Sequence, residues 1–136
     1  VAVGVAILVG AELPVQILAA LAAILGHSRS VFIGFAGGRG IAPGLGGLLV
    51  LQPIAALVVM PVFAIVLLVS RYSSLASLTS TAIGAAVVLG TVWVTTISPL
   101  YAIYALAAAA MIWLFHLDNI QRLLAGTERR IEFRRG

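Results

Sequence analysis

Five apolar stretches fill most of this 136-residue chain, and none of them carries a charged side chain. They run from Val1 to Gly10, Leu13 to Gly26, Ile41 to Val69, Leu78 to Thr95 and Leu100 to Phe115. Each is apolar all round rather than along one stripe, so none has a face suited to water. A soluble domain this small buries only about two-thirds of its chain's surface, yet 62% of these residues are hydrophobic and only 9% charged. Lipid must therefore replace water around most of the chain. Hydrocarbon offers no partner to a free backbone group, so a spanning segment is a helix or part of a closed barrel. Barrel strands alternate in segments of about ten residues, which these runs do not. The chain reads as an all-α, polytopic integral membrane helix bundle, a single membrane domain over residues 1–136.

The charges then suggest a topology. Eight arginines, no lysines and four acids give a net charge of +4. Beside apolar spans such a balance marks a cytoplasmic face or an anionic ligand, and no nucleic-acid partner is expected. Arg29 and Arg39 share one polar segment, Arg71 stands in the next, and Arg122, Arg129, Arg130, Arg134 and Arg135 lie in the tail. If all three segments are cytoplasmic, the chain crosses the membrane an even number of times between them. Helices 78–95 and 100–115, turning at Ser98–Pro99, meet that condition. Residues 41–69 as one helix would be about 43 Å long and would put Arg71 outside. The pair Gln52–Pro53 instead divides that run into two short helices, neither obliged to cross about 30 Å of hydrocarbon. Glu12 and Pro14 then fall at an outer turn. Val1 opens directly inside an apolar run with no charged region before it, so the chain reads as a fragment rather than a signal peptide. The absence of cysteine excludes disulfides, thiolate nucleophiles and Cys-based metal sites.

Three polar segments could carry chemistry. In Gly37-Gly38-Arg39-Gly40-Ile41-Ala42, glycines let several N–H groups converge. A helix starting near Ile41 adds its positive dipole end and Arg39 a bidentate charge, which suits a phosphate. A flexible loop with a topological arginine explains the same residues. In Ser70-Arg71-Tyr72-Ser73-Ser74-Leu75-Ala76-Ser77, Ser74 and Ser77 are three apart and could donate to one anion, or simply cap a helix. In the third, His116 and Asn119 sit one turn apart where a span leaves the membrane, fit to hold a polar substrate or handle a proton. Ile120, Leu123 and Leu124 equally fit an amphipathic interfacial helix. No His/Asp spacing here suits a metal, and no cofactor is expected.

Together, in this order, the three segments resemble the acyl-phosphate:glycerol-3-phosphate acyltransferases of bacterial membranes, the PlsY family. The matching residues are Gly26-His27, Phe32, Phe35 and Gly37 to Ala42, then Arg71-Tyr72-x-Ser74-Leu75-x-Ser77. The last run is His116-x-x-Asn119-Ile120-x-Arg122-Leu123-Leu124-x-Gly126-x-Glu128. Arg39 stands where that family commonly has lysine, Ser30 where it has proline, and Pro43 where it has threonine. Its first motif, a Ser/Asn/Gly-rich loop with an arginine, has no counterpart here. The resemblance implies a seven-helix bundle of which this chain supplies the last five to six helices, two of them short, without the first helix and first motif, and the chain as given is therefore expected to be inactive.

The implied activity is transfer of a fatty acyl group from acyl phosphate to the 1-hydroxyl of glycerol 3-phosphate, yielding lysophosphatidic acid and phosphate. Catalytic roles fall to His116, Asn119, Arg39 and Ser77. Substrate contacts fall to His27, Gly37, Gly38, Gly40, Arg71 and Ser74, and Glu128 orders the tail by pairing with an arginine. Gly37 to Gly40 would hold the acyl phosphate, and Ser74, Ser77, His116 and Asn119 the glycerol phosphate or its attacking hydroxyl. The proton goes to His116 or to a substrate phosphate. The expected setting is a monomer in the inner (plasma) membrane, with active site and C-terminus cytoplasmic and lipids as neighbours. The rival reading is a small anion-recognising transporter or channel subunit, which would call for ionisable residues within the spans.

Overall fold

Glycine or proline marks several of the breaks between the apolar runs. In the computed structural model, which describes residues 1–29, 34 and 37–132, seven helices form among the described residues. The first, α1 (Ala2–Leu8), gives way to Gly10 at a φ of 71°, a left-handed turn. Next, α2 (Leu13–Ser28) carries Pro14 in its first turn, where a missing N–H breaks no helical bond. After Gly40 comes α3 (Ile41–Leu51), and α4 (Pro53–Ser70) starts on Pro53 itself. The ring of Pro53 would clash with the carbonyl four residues back and has no N–H to give it, so α3 and α4 cannot run on as one helix. The remaining helices are α5 (Ser73–Val94), α6 (Leu100–Phe115) and α7 (Leu117–Leu124).

Two boundaries differ from the sequence reading. The break at Gln52–Pro53 is present, but its two products are unequal. With 11 residues, α3 spans only about 16 Å, whereas the 18 residues of α4 reach about 27 Å. Length and composition therefore let α4 cross a membrane by itself, and only α3 of this pair is short. The other difference is that α5 begins at Ser73, five residues before the expected edge at Leu78. Serines do not stop this helix because its own carbonyls satisfy them: Ser77 Oγ donates to the Ser73 carbonyl at 2.9 Å.

From α2 onward successive helices alternate in direction, with α4 along α5 and α5 along α6, while α6 lies parallel to α2 and α1 and α3 lie beside α2. Ile17, Ala20 and Ile24 of α2 pack with Tyr104, Ala108 and Ile112 of α6 in the main core. A second, smaller core joins Ala55, Val88 and Ala105 across α4, α5 and α6. Outward-facing residues are as apolar as the core: Leu57, Ile65, Leu68 and Leu106 are all more than half exposed. In water such a surface would aggregate; in lipid it is the solvated face. This chain is an integral membrane protein by that measure as well as by its two self-sufficient spans, α4 and α5.

Candidate active site

The polar residues collect at one end of the bundle. There α2, α4 and α6 finish and α3 and α5 start, and α7 folds across, bent by 62° from α6. An open cleft of about 940 Å³ is lined by Arg39, Ser73, Asn119, Arg122, Glu128 and Arg130, among others. Residues far apart in sequence thus face one space.

The glycine segment is pressed against the end of α2. The Gly38 N–H donates to the His27 carbonyl at 3.1 Å, and a side chain at Gly38 would overlap the His27 imidazole. Gly40 has a φ of 78°, and a Cβ there would come within 2.8 Å of Ile24 Cγ2. Only glycine meets both demands at residue 40. The loop therefore delivers Arg39 to the cleft and starts α3 beneath it. Pro43 falls in the first turn of α3, where no intrahelical N–H bond is due. Ser28 Oγ, buried under this loop, has no hydrogen-bond partner among the described residues. Ser30, Phe32 and Phe35 of the same segment lie outside the described residues.

His116 occupies the bend between α6 and α7 and is 2% exposed. Its Nδ1 lies 2.7 Å from the Ile112 carbonyl. A carbonyl can only accept, so Nδ1 carries the proton and Nε2 keeps the lone pair in the neutral ring. Burial lowers the pKa of His116, and the charge of Arg39 lowers it further; the Ile112 bond and Glu128 pull the other way without prevailing. The ring is neutral at pH 7 and keeps its basic lone pair on Nε2.

Glu128 is the hub of the cleft. Its Oε1 accepts from Ser74 Oγ and from Asn119 Nδ2, each at 2.6 Å, and its Oε2 from Arg122 Nε at 2.8 Å. Burial alone would push this carboxyl up, but the three donors and the charge of Arg122 hold it at about 2. Asn119 Oδ1 is left buried without a partner among the described residues. The tail then straps across the start of α5: the Ile131 N–H donates to the Arg71 carbonyl at 2.8 Å, and Arg130 Nε donates to the Tyr72 hydroxyl at 2.9 Å.

The structure therefore gathers Arg39, His116, Asn119, Ser74 and Glu128, with Gly37, Gly38, Gly40 and His27 forming the adjoining loop contact. It does not gather the other two in the same way. The Ser77 hydroxyl turns back to its own helix, and Arg71 is an exposed cap at the end of α4 with a φ of 62°. Among the described residues, no side-chain hydrogen bond ties either to the cleft. Arg122, Arg129 and Arg130, which sequence reasoning treated as tail charges, line the cleft instead. Their signal was Asn119 and Arg122 three apart on one helical face, followed by Gly126 to turn the chain back.

Next to the cleft, an apolar slot of about 200 Å³ runs between α3, α4, α5 and α6, with Ile112 at one end and Tyr104 deeper in. Its few hydroxyls face the backbone: Ser80 and Thr81 donate to the Ser77 carbonyl at 3.1 and 2.6 Å, and Tyr104 to that of Gly44 at 3.4 Å. What remains toward the slot is hydrocarbon.

Comparison with known proteins identifies related sequences and structures. Residues 1–126 match the family described as glycerol-3-phosphate acyltransferase. A protein of that name from Roseiflexus sp. (strain RS-1) is 42% identical over 119 residues, covering 85% of this chain and 57% of the relative. One from Trichormus variabilis is 43% identical over 115 residues, covering 84% and 49%. This chain thus spans about half the length of the curated relatives it matches. Among solved structures, it resembles PlsY (YgiH), described as an integral membrane glycerol 3-phosphate acyltransferase. The lysophosphatidic acid form gives a TM-score of 0.78 at 35% identity, covering 87% of this chain and 58% of that one. The glycerol 3-phosphate form gives 0.76 at 36%, covering 87% and 57%.

Proposed function

The chain belongs to the glycerol-3-phosphate acyltransferase family, and from that premise we propose that its cleft transfers a fatty acyl group from acyl phosphate to the 1-hydroxyl of glycerol 3-phosphate. The observation that carries this reading is the juxtaposition of two unlike spaces: an arginine-lined cleft and, one helical turn away through Ile112, a hydrocarbon slot. Acyl phosphate needs both. The cleft faces the cytoplasm of the cell in which the protein sits, the side that arginine-rich segments favour.

In the proposed reaction, Arg39 and the N–H groups of Gly37, Arg39 and Gly40 neutralise the acyl phosphate, while the Gly38 N–H stays on the His27 carbonyl and holds the loop in place. Ser74, Asn119 and Arg122, whose donors now serve the Glu128 carboxylate, form the polar wall for glycerol phosphate. His116 Nε2 accepts from the attacking hydroxyl and orients it. The hydroxyl oxygen adds to the carbonyl carbon, the C–O bond to phosphate breaks, and the hydroxyl proton passes by way of His116 Nε2 to the departing phosphate. Acyl phosphate is already an activated anhydride, so no covalent enzyme intermediate is needed. Positioning and charge neutralisation supply the rate.

The test is phosphate release from palmitoyl phosphate by the full-length protein reconstituted in lipid, with and without glycerol 3-phosphate. Release that depends on glycerol 3-phosphate and yields lysophosphatidic acid is expected. Release that ignores glycerol 3-phosphate, or equal transfer from acyl-CoA, would overturn the proposal.

A further inference from the structure

We propose that the apolar slot is a ruler for the acyl chain, and that its floor, where Leu48 and Val59 meet Gly84 beside Tyr104, sets the chain length the protein transfers. The inference rests on the acyl-transfer reading above and concerns a property that reading leaves open.

The mouth of the slot is fixed by Ile112, which lines it and whose carbonyl holds His116 Nδ1 at 2.7 Å. The floor is fixed by close approach of three helices. A Cβ at Gly84 of α5 would lie 2.7 Å from Val59 Cγ2 of α4 and 3.8 Å from Leu48 Cδ2 of α3. On the α3–α6 side, a Cβ at Gly47 would lie 2.7 Å from the Tyr104 hydroxyl. No alkyl chain passes beyond such contacts without moving them.

From His116 back to Tyr104 is twelve residues, or about 18 Å along α6. An extended alkyl chain advances about 1.25 Å per bond, given tetrahedral carbons joined at about 1.52 Å. About fourteen bonds therefore fit, so a chain of about fourteen to sixteen carbons fills the slot when its carbonyl is level with His116. Leaving lipid for this slot brings no hydrophobic gain, since both are hydrocarbon. Discrimination comes from fit alone: a shorter chain leaves contacts unmade, and a longer one presses on the floor.

The experiment uses the full-length protein in nanodiscs of fixed lipid composition, with acyl phosphates of ten to eighteen carbons at equal surface mole fraction. kcat/KM is measured for each, and so is binding of the matching alkyl phosphates, which carry no transferable group. The unaltered chain should prefer fourteen to sixteen carbons. Ala108 lines the slot eight residues below His116, about 12 Å down. Ala108→Leu should therefore move the optimum to about ten carbons and cut the sixteen-to-ten ratio about tenfold. Val59→Ala should move the optimum up by one or two carbons, and it keeps the test decisive if the first variant does not fold. A profile that is flat, or unmoved in the folded variants, overturns the ruler. Binding that shifts as stated without any acyl transfer upholds the ruler and overturns the proposed function; flat binding with no transfer overturns both.

Discussion

At the scale of single residues, the cleft is governed by two opposite charges. Arg39 reaches it exposed from a loop of glycines, and a cation there is what a phosphate requires. Removing it by Arg39→Ala should lower acyl transfer about a hundredfold, since a lost charged contact costs about 3 kcal/mol. Arg39→Lys keeps the charge while losing the planar fork, so most of the activity should survive. An alanine variant with near-normal turnover would show that the loop serves topology alone. Glu128 is the counterpart. Its carboxyl is held at about 2 against an ordinary 4.5, so the unfolded chain takes up that proton first as pH falls. The stability it confers is complete above about 4.5 and is lost progressively down to about 2. Thermal unfolding followed from pH 6 to pH 2.5 should show the midpoint falling across that window. Glu128→Gln should lower stability by about 2 kcal/mol at neutral pH and flatten the acid limb. Parallel curves for the two proteins would mean that Glu128 is not the group responsible.

At the scale of elements, two helix ends share a left-handed backbone with opposite consequences. Gly40 opens α3 at a φ of 78° and Arg71 closes α4 at 62°. Gly40→Ala adds a Cβ 2.8 Å from Ile24 Cγ2 on a backbone that resists one, and should cost at least about 2 kcal/mol. Arg71→Gly relieves such a backbone and should gain about 1 kcal/mol, measured as a raised unfolding midpoint with Arg71→Ala as reference. A lowered midpoint for the glycine variant would show that the Arg71 side chain contributes more than its strain costs. These ends also mark what was legible beforehand. Pro53 announced a helix start because the rule it obeys is local, and the end of α1 and the start of α2 followed from Gly10 and Pro14 in the same way, while α6 ends where its apolar run stops at Phe115. The start of α5 was misplaced because serines read as a loop until their hydroxyls are seen bonded to the helix itself. The Glu128 hub was beyond local rules. It joins Ser74 from 54 residues away, and only the turn at Gly126, with a φ of 68°, brings the two together. A cation partner for Glu128 was readable from charge, but its serine and asparagine partners were not.

At the scale of the whole molecule, the arrangement of charge and chain direction gives one consistent picture. Arg39 and Arg122 line the same cleft as Ser73, two residues beyond Arg71. Leu13, Leu51 and Leu100 meet at the opposite end of the main core. Each helix from α2 to α6 therefore leads from one end to the other, and α3, the shortest of them, is the only one that must do so within about 16 Å. A short α3 brings the Gln52–Pro53 turn into the hydrocarbon, where Gln52 is 9% exposed and covered by protein rather than lipid. With no cysteine in the chain, single introduced thiols report side without background. Arg71→Cys and Arg129→Cys should react with a membrane-impermeant maleimide only from the cytoplasmic side, and Ala11→Cys and Thr96→Cys only from the other. Gln52→Cys should resist the reagent from both sides until detergent is added, because its turn does not reach the far surface. Labelling of residues 71 and 129 from opposite sides would break the cleft apart and with it the proposed acyl transfer. Ready labelling of residue 52 from outside would instead leave the cleft intact and mean that the membrane is thinned around α3.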